Sequence, residues 1–205
     1  MNKIFKAACV ILFSGVFATG LMAENRPLVE GEDYEVMGPK GSKKAEVFEF
    51  FSYACGSCYT METFINRFKK ENSEIKIIPV PNDLGRTAWQ IYIKAYYLGE
   101  LLKVLDQSHS KIFHMINVEK KHITSDEALK AFFMTLGVDS SKYDRAYKSV
   151  ALDMRVRKAK QLARKYRITG TPTFVANQRF KLNNSALGSK QMIEKALKEL
   201  TIITL

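Results

Sequence analysis

The stretch from residue 45 to residue 81 constrains the fold of this chain more than any other. It begins with the nearly uninterrupted apolar run Ala45 to Phe51, continues through a helical pattern from Tyr59 to Lys70, and ends with a second apolar run, Ile75 to Val80. The first run is typical of a central strand that is covered on both faces. A strand, a helix and a strand within about 35 residues predict a βαβ unit with two parallel strands and a right-handed crossover.

Two cysteines lie between the first strand and the helix. The motif Cys55-Gly56-Ser57-Cys58 opens the helical segment, and the only other cysteine of the chain is Cys9. A thiol at a helix N-terminus lies beside unpaired backbone N–H groups and the positive end of the helix dipole, which both favour its thiolate. This position indicates redox chemistry. A structural disulfide and half of a zinc site are the alternative interpretations of a C-x-x-C pair.

Neither alternative fits the rest of the chain well. A disulfide across a four-residue loop constrains the unfolded chain little compared with one that closes a long loop, so the spacing favours reactivity. Zinc needs two further ligands, but His109, His114 and His122 are five and eight residues apart and do not share one helix face. We therefore predict no metal site and ordinary surface or core positions for these histidines.

The first 23 residues predict a secretory signal peptide. Lys3 and Lys6 precede the apolar stretch Ala7 to Leu21, and Ala23 is a small residue suited to the cleavage position. The alternative is an uncleaved anchor, but the stretch is shorter than the ~20 apolar residues of a membrane-spanning helix. We expect cleavage near Ala23, which would remove Cys9 and leave a single exported domain with one inserted unit.

The chain is basic. Its formal charge is +11, and loss of the two signal lysines would lower it to about +9. The densest cluster of cations runs from Arg155 to Arg167, where a helix would present a cationic face to an acidic partner, an anionic membrane or nucleic acid. A solvated helix face is the favoured interpretation, and exported proteins seldom meet nucleic acid. We predict no nucleic-acid partner and assign this cluster no catalytic role.

The remaining segments predict helices first and a small sheet afterwards. No convincing strand pattern occurs from Asp83 to Arg167, so a helical unit is expected there. The predicted elements, in chain order, are an edge strand around Tyr34 and Val36, helices at Thr87–Leu98 and Leu101–Asn117, a Thr124-capped helix to Leu136, a bent helix or helix pair at Asp139–Ser149 and Val150–Tyr166, strands at Pro172–Ala176 and Phe180–Leu182 around an Asn177-Gln178 turn, and a Ser189-capped helix to Leu200. This order predicts an α/β domain, residues 24–82 and 168–205, with helices 83–167 inserted.

A second motif, Gly170-Thr171-Pro172, precedes the strand pair. A C-x-x-C at a helix start, followed at a distance by Gly-Thr-Pro and a ββα ending, resembles the thioredoxin fold. The signal peptide, the string Glu-Phe-Phe-Ser from Glu49, the tyrosine after Cys58 and the helical insertion make the chain similar to the DsbA family of exported thiol:disulfide oxidoreductases. The resemblance covers Tyr34 to Leu200. It implies a thioredoxin fold with an inserted helical domain, and a periplasmic location.

The resemblance also assigns roles. It implies that Cys55 is the more exposed, attacking thiol and Cys58 the buried thiol that resolves the mixed disulfide, with the Cys55–Cys58 disulfide as the only redox group and no other cofactor. The cycle is thiol–disulfide exchange. It further implies that Pro172 is cis and lies beside the disulfide, where Thr171 and the strand edge hold an extended substrate.

Three positions bear on how the chemistry is tuned. The family usually has Pro-His between its cysteines, whereas Gly56-Ser57 carries no positive charge, so we expect a milder oxidant. Thr171 stands where typical oxidases have Val, and Thr occurs there in isomerase and reductase relatives. The family also has a buried acid at Glu49, which we expect to pair with Lys76 on the next strand, tune thiol pKa and carry protons. The alternative is an outward-facing Glu49.

These observations together predict a monomeric enzyme that introduces disulfides into unfolded exported proteins with cysteines. A membrane thiol oxidase is the expected partner that re-oxidises it. A disulfide reductase or isomerase is the alternative within the same chemistry. A non-catalytic peptide-binding chaperone is the alternative outside it.

Overall fold

The computed structural model describes residues 26–202, and it places a five-stranded mixed sheet at the centre of the molecule. The predicted signal peptide, its cleavage site and Cys9 lie outside this range. The strands are β1 Tyr34–Val36, β2 Glu46–Phe51, β3 Lys76–Pro81, β4 Thr173–Ala176 and β5 Phe180–Leu182, in the sheet order β1-β5-β4-β2-β3. β2 pairs parallel with β3 and antiparallel with β4. The predicted βαβ unit and the edge strand β1 are confirmed.

The helices fall into three groups along the chain. Within residues 26–202, one connects β2 to β3, five lie between β3 and β4, and two follow β5. In order they are α1 Gly56–Glu71, α2 Gln90–Leu102, α3 Leu105–Asn117, α4 Asp126–Thr135, α5 Ser140–Tyr147, α6 Val150–Lys165, α7 Asn184–Leu187 and α8 Lys190–Ile202, with a 3₁₀ turn at Thr87–Trp89 before α2. Within the range that the structure describes, no helix has the length and apolar content needed to cross a bilayer.

Gly99 does not end α2 as the sequence predicts. The helix continues to Leu102 and ends at Lys103, whose φ of 61° is left-handed. Gly99 is buried, and a Cβ added to it would come within 2.5 Å of Ser108 Oγ and 3.1 Å of a Leu105 side-chain carbon. This glycine therefore permits the close approach of α2 and α3 and does not act as a helix stop.

One predicted helix start differs in detail, and a second is resolved. Ser125, and not Thr124, caps α4, because its Oγ accepts a hydrogen bond from the Ala128 N–H at 3.1 Å. The segment predicted as one bent helix or two is a pair, α5 and α6. Ser149 separates them, and its Oγ accepts from the Leu152 N–H at 3.2 Å. Each cap satisfies a backbone donor that a helix start leaves unpaired.

The central strand β2 connects the sheet to the helices between β3 and β4. Every residue of β2 is buried, as its apolar run predicts. Phe51 at its end belongs to the same buried cluster as Tyr53, Cys58 and the apolar side chains of α2 to α5. The C-x-x-C segment is therefore anchored both in the sheet and in the helices. The division of the chain at residues 83 and 167 stays a prediction.

Candidate active site

The turn from β2 into α1 positions both cysteines. β2 ends at Phe51, and the N–H of Cys55 donates to the Ser52 carbonyl at 3.0 Å, which tightens the turn. Cys55 is the N-cap of α1 in an extended conformation, and Cys58 lies in the first helical turn. Cys55 is partly exposed, whereas Cys58 is 1% exposed, and both are free thiols. An incoming sulfur therefore reaches Cys55 more readily than Cys58.

The surroundings of Cys55 stabilise its thiolate. The hydrogen bond from the Cys58 thiol is the largest cause, and together with the Ser57 and Thr171 side chains it lowers the pKa of Cys55 to about 5. Ser57 Oγ lies 3.2 Å from the Cys55 sulfur. The opposite holds at Cys58, where the hydrogen bond to Cys55 and burial raise the pKa well above its usual range. At neutral pH the pair therefore holds one thiolate, on Cys55, and one thiol.

The Gly170-Thr171-Pro172 segment, which follows α6 in the sequence, contacts Cys55. The Thr171–Pro172 peptide bond is cis, and the Thr171 carbonyl oxygen lies 3.2 Å from the Cys55 sulfur, from which it accepts a hydrogen bond when Cys55 is protonated. The predicted cis geometry is confirmed, and the contact of this loop with Cys55 is made by Thr171. The sequence reasoning missed Asn184, whose Nδ2 donates to the Pro172 carbonyl at 2.9 Å. This bond fixes the loop of Thr171 and Pro172.

A second residue that the sequence reasoning missed joins α3 to the cysteine turn. Asn117 Nδ2 donates to the Tyr53 carbonyl at 2.9 Å and to the Phe113 carbonyl at 2.9 Å. A Cβ added to Gly56 would lie 3.8 Å from Asn117 Oδ1, which is an ordinary contact. Gly56 is therefore not required by lack of space, and no periodic pattern marked Asn117, because it stands at the last position of a helix.

Glu49 is buried, but its predicted partner is wrong. Glu49 is 3% exposed, so the alternative of an outward-facing side chain is also wrong. In the parallel pair of β2 and β3, Glu49 lies opposite Pro79, and the exposed Lys76 lies opposite Glu46. Three residues of strand correspond to about 10 Å, which is too far for an ion pair. Lys76 therefore takes no part in the candidate site.

The electrostatic surroundings of Glu49 contain a like charge. Burial is the largest cause that raises the pKa of Glu49, to about 7, and the Glu62 carboxylate on α1 adds repulsion. The Lys69 ammonium acts in the opposite direction, but its effect is smaller than either of these. Glu49 is therefore a carboxyl group that exchanges its proton near neutral pH.

His109 connects Glu62 with Tyr53 in the turn that carries the cysteines. His109 Nδ1 hydrogen-bonds the Tyr53 hydroxyl at 2.8 Å, and its Nε2 lies 3.2 Å from Glu62 Oε2. Sequence spacing could not reveal this, since the three residues come from a loop and two helices. Within residues 26–202, no three His, Cys, Asp or Glu side chains converge as a candidate metal site.

Comparison with known proteins identifies the family of the chain. A family model described as a DSBA-like thioredoxin domain matches residues 86–198. The thiol:disulfide interchange protein DsbA of Burkholderia cepacia is 30% identical over 209 residues, which cover 95% of this chain and 96% of that protein. The chain belongs to the DsbA-like thioredoxin family. The predicted family, fold class and thiol:disulfide oxidoreductase chemistry are confirmed.

Solved DsbA structures share the fold described above. A DsbA variant from Pseudomonas aeruginosa superimposes with a TM-score of 0.80 at 25% identity, covering 86% of this chain and 98% of that chain. A DsbA variant from Proteus mirabilis, solved with a non-covalently bound peptide, gives a TM-score of 0.73 at 22% identity and covers 87% of this chain and 99% of that chain. The DsbA-like architecture therefore extends over nearly all described residues.

Proposed function

We propose that Cys55 and Cys58 form the redox-active pair through which this DsbA-like protein introduces disulfides into other proteins. The observation that carries this proposal is the asymmetry of the pair. Cys55 is partly exposed with its pKa lowered to about 5, whereas Cys58 is buried with its pKa raised. A stabilised thiolate on Cys55 favours the reduced enzyme and thus oxidation of the substrate.

The exchange proceeds in two displacements. A substrate thiolate attacks the Cys55 sulfur of the oxidised enzyme, the Cys55–Cys58 bond breaks, and Cys58 leaves as a thiolate that takes up a proton. The second substrate thiol loses its proton and attacks the substrate sulfur that is bound to Cys55. Cys55 then leaves as a thiolate. The substrate has lost two electrons to the enzyme, and a substrate disulfide has replaced the enzyme disulfide. Apart from this disulfide, the proposal requires no cofactor.

Residues around the cysteines take supporting roles in this proposal. The loop of Thr171 and Pro172 holds an extended substrate segment beside Cys55, as the contact of Thr171 with the sulfur supports. The peptide bound to the Proteus mirabilis DsbA is a precedent for such a ligand. Gly56 and Ser57 moderate the oxidising strength, because the Ser57 hydroxyl stabilises the thiolate without a positive charge.

Glu49 serves as the buried proton donor of the exchange. Its carboxyl group lies in β2, six residues before Cys55, and exchanges a proton near neutral pH. Release of Cys58 as a buried thiolate requires a proton, because an uncompensated charge in an apolar setting is costly. Glu49 supplies this proton and regains it when the second substrate thiol ionises.

We further propose that the protein acts as a monomer in the periplasm on unfolded exported proteins with cysteines. The signal-like first 23 residues support export. A membrane thiol oxidase then returns Cys55 and Cys58 to the disulfide. Helices 83–167 form an inserted domain beside the thioredoxin-like unit of residues 24–82 and 168–205, and nucleic acid is not a partner.

A disulfide reductase or isomerase is the second candidate function, because Thr171 stands where typical oxidases have valine and where isomerase and reductase relatives have threonine. Equilibration with glutathione decides the direction of electron flow, since about 30 mV corresponds to ~1.4 kcal/mol. Oxidation of a reduced, unfolded substrate protein tests the assignment of the site. Loss of this activity in Cys55→Ser is expected, and undiminished oxidation by the variant would overturn the assignment of Cys55.

A further inference from the structure

His109 lies at the centre of a polar chain inside the apolar cluster behind the cysteines. Its ring packs edge-to-face against those of Phe51, Tyr53, Tyr96 and Phe113, with centroid distances of 5.0 to 5.9 Å. Only 21% of its side chain is exposed. A polar ring inside an aromatic cage needs partners for its two nitrogens, and His109 has one on each side.

The partner of His109 Nδ1 determines how the polar side chains Tyr53, His109 and Glu62 are arranged. The Tyr53 residue is fully buried, and within residues 26–202 its hydroxyl has no hydrogen-bond partner other than His109 Nδ1. In the neutral imidazole the Tyr53 hydroxyl donates to Nδ1, so the ring proton is on Nε2. Nε2 lies 3.2 Å from Glu62 Oε2. Tyr53 thus selects the tautomer that attracts the Glu62 carboxylate.

The polar group of Tyr53, His109 and Glu62 lies on the same side of the sheet as Glu49. Glu49 and Phe51 occupy alternate positions along β2 and therefore lie on the same face of the sheet, and the Phe51 ring packs 5.4 Å from that of His109 on α3. The Glu62 charge repels Glu49, and the Glu49 charge acts in turn on Tyr96, which packs against His109. Glu62 also lies four residues after Cys58, on the same face of α1.

No lysine is placed to neutralise this pair of acids from the neighbouring strand. Pro79 occupies the position opposite Glu49. The other ionisable groups that act on the chain are Lys69 on α1, which is exposed, and Glu100 on α2, which lies 2.6 Å from Arg155. The imidazole is therefore the group that decides where the Glu62 carboxylate lies.

We propose that His109 is a positioning residue for thiol–disulfide exchange, which holds the Glu62 carboxylate against Glu49 and thereby keeps the proton on Glu49 in the resting enzyme. The proposal rests on the proton-donor role of Glu49 given above. The proton that His109 retains on Glu49 passes to Cys58 when this sulfur leaves, and the second substrate thiol restores it. No oxidant or reductant beyond the enzyme disulfide and the substrate dithiol is required.

Infrared titration of the buried carboxyl band tests this inference in the oxidised protein, where no thiol titrates. In His109→Phe the aromatic packing is kept and both nitrogens are lost, so Glu62 turns to solvent and the midpoint of Glu49 should fall by about one pH unit. Tyr53→Phe, which frees the tautomer, should shift the midpoint in the same direction by less. The exposed histidine of the same helix, His114, gives the control His114→Phe, with no shift expected.

The outcomes separate this inference from the proposed function. An unmoved midpoint in both His109→Phe and Tyr53→Phe would overturn the inference, even while substrate oxidation through Cys55 continued. If His109→Phe does not fold, Tyr53→Phe alone decides. A shifted midpoint combined with full substrate oxidation by Cys55→Ser would support the positioning role of His109 and overturn the assignment of Cys55 as the reacting thiol.

Discussion

The buried carboxyl group of Glu49 makes a definite contribution to stability as a function of pH. Its pKa is raised from 4.5 to about 7, first by burial and then by Glu62. A difference of one unit corresponds to about 1.36 kcal/mol, so this shift of roughly 2.5 units corresponds to about 3 kcal/mol. Because the folded-state pKa lies above the unfolded one, the folded state binds this proton more tightly. The stabilisation is complete below about pH 4.5 and is lost as the pH rises through about 7.

Replacement of Glu49 by Gln isolates this contribution. The amide has a similar size and does not titrate, and groups distant from Glu49 titrate alike in both proteins and cancel in the comparison. Relative to wild type, Glu49→Gln should therefore gain about 3 kcal/mol in free energy of unfolding between about pH 4 and about pH 8. The assay is denaturant unfolding of the oxidised proteins at a series of pH values, since oxidation removes the titration of Cys55.

A matched control makes the same Glu-to-Gln substitution at an exposed position. Glu74 is exposed just before β3, and Glu74→Gln should leave the pH dependence of stability as in wild type. A difference between wild type and Glu49→Gln that stays constant over the whole pH range would refute the reasoning. In that case the Glu49 carboxyl would be equally easy to ionise in the folded and unfolded chains.

Three further predictions concern the thiols. Ser57→Ala should raise the pKa of Cys55 above about 5 and lower the reduction potential, because the thiolate loses a hydroxyl 3.2 Å away. Ultraviolet thiolate absorbance measures the pKa, and equilibration with glutathione measures the potential. An unchanged pKa would contradict this prediction. Thr171→Val should also raise the pKa of Cys55, but less strongly, because the Thr171 side chain lowers this pKa less than Ser57 does. Cys58→Ala should trap substrates on Cys55 and Cys55→Ala should trap few, as seen on non-reducing gels; equal trapping would remove the assigned roles.

The parts of this structure that follow from local pattern were predictable from the sequence. Apolar runs and helical spacing located the strands and most helices, because these patterns record which side chains are buried. The helix-start position of Cys55 and the partner loop at Thr171 followed from two motifs. Gly99 was misinterpreted because a glycine that ends a helix and one that admits a neighbouring helix look alike in sequence.

The polar surroundings of the thiols depend on register and on distant elements, which no local pattern records. Lys76 was paired with the wrong acid because a parallel pair fixes its register through the crossover and the packing of α1, and the observed shift is three residues. His109 meets Tyr53 across 56 residues of sequence. Both contacts exist only after the elements have packed together.

The contact between Cys55 and Thr171 spans 116 residues of sequence. A chain made from its N-terminus presents the C-x-x-C segment long before the Thr171 loop exists, and contacts of such separation form late because the intervening chain must first be ordered. Before that moment Cys55 lacks the Thr171 side chain that helps to lower its pKa. The Cys55 thiolate of a nascent or half-folded molecule is thus less stabilised than that of the folded protein, and its full stabilisation is acquired only with the last sixth of the polypeptide.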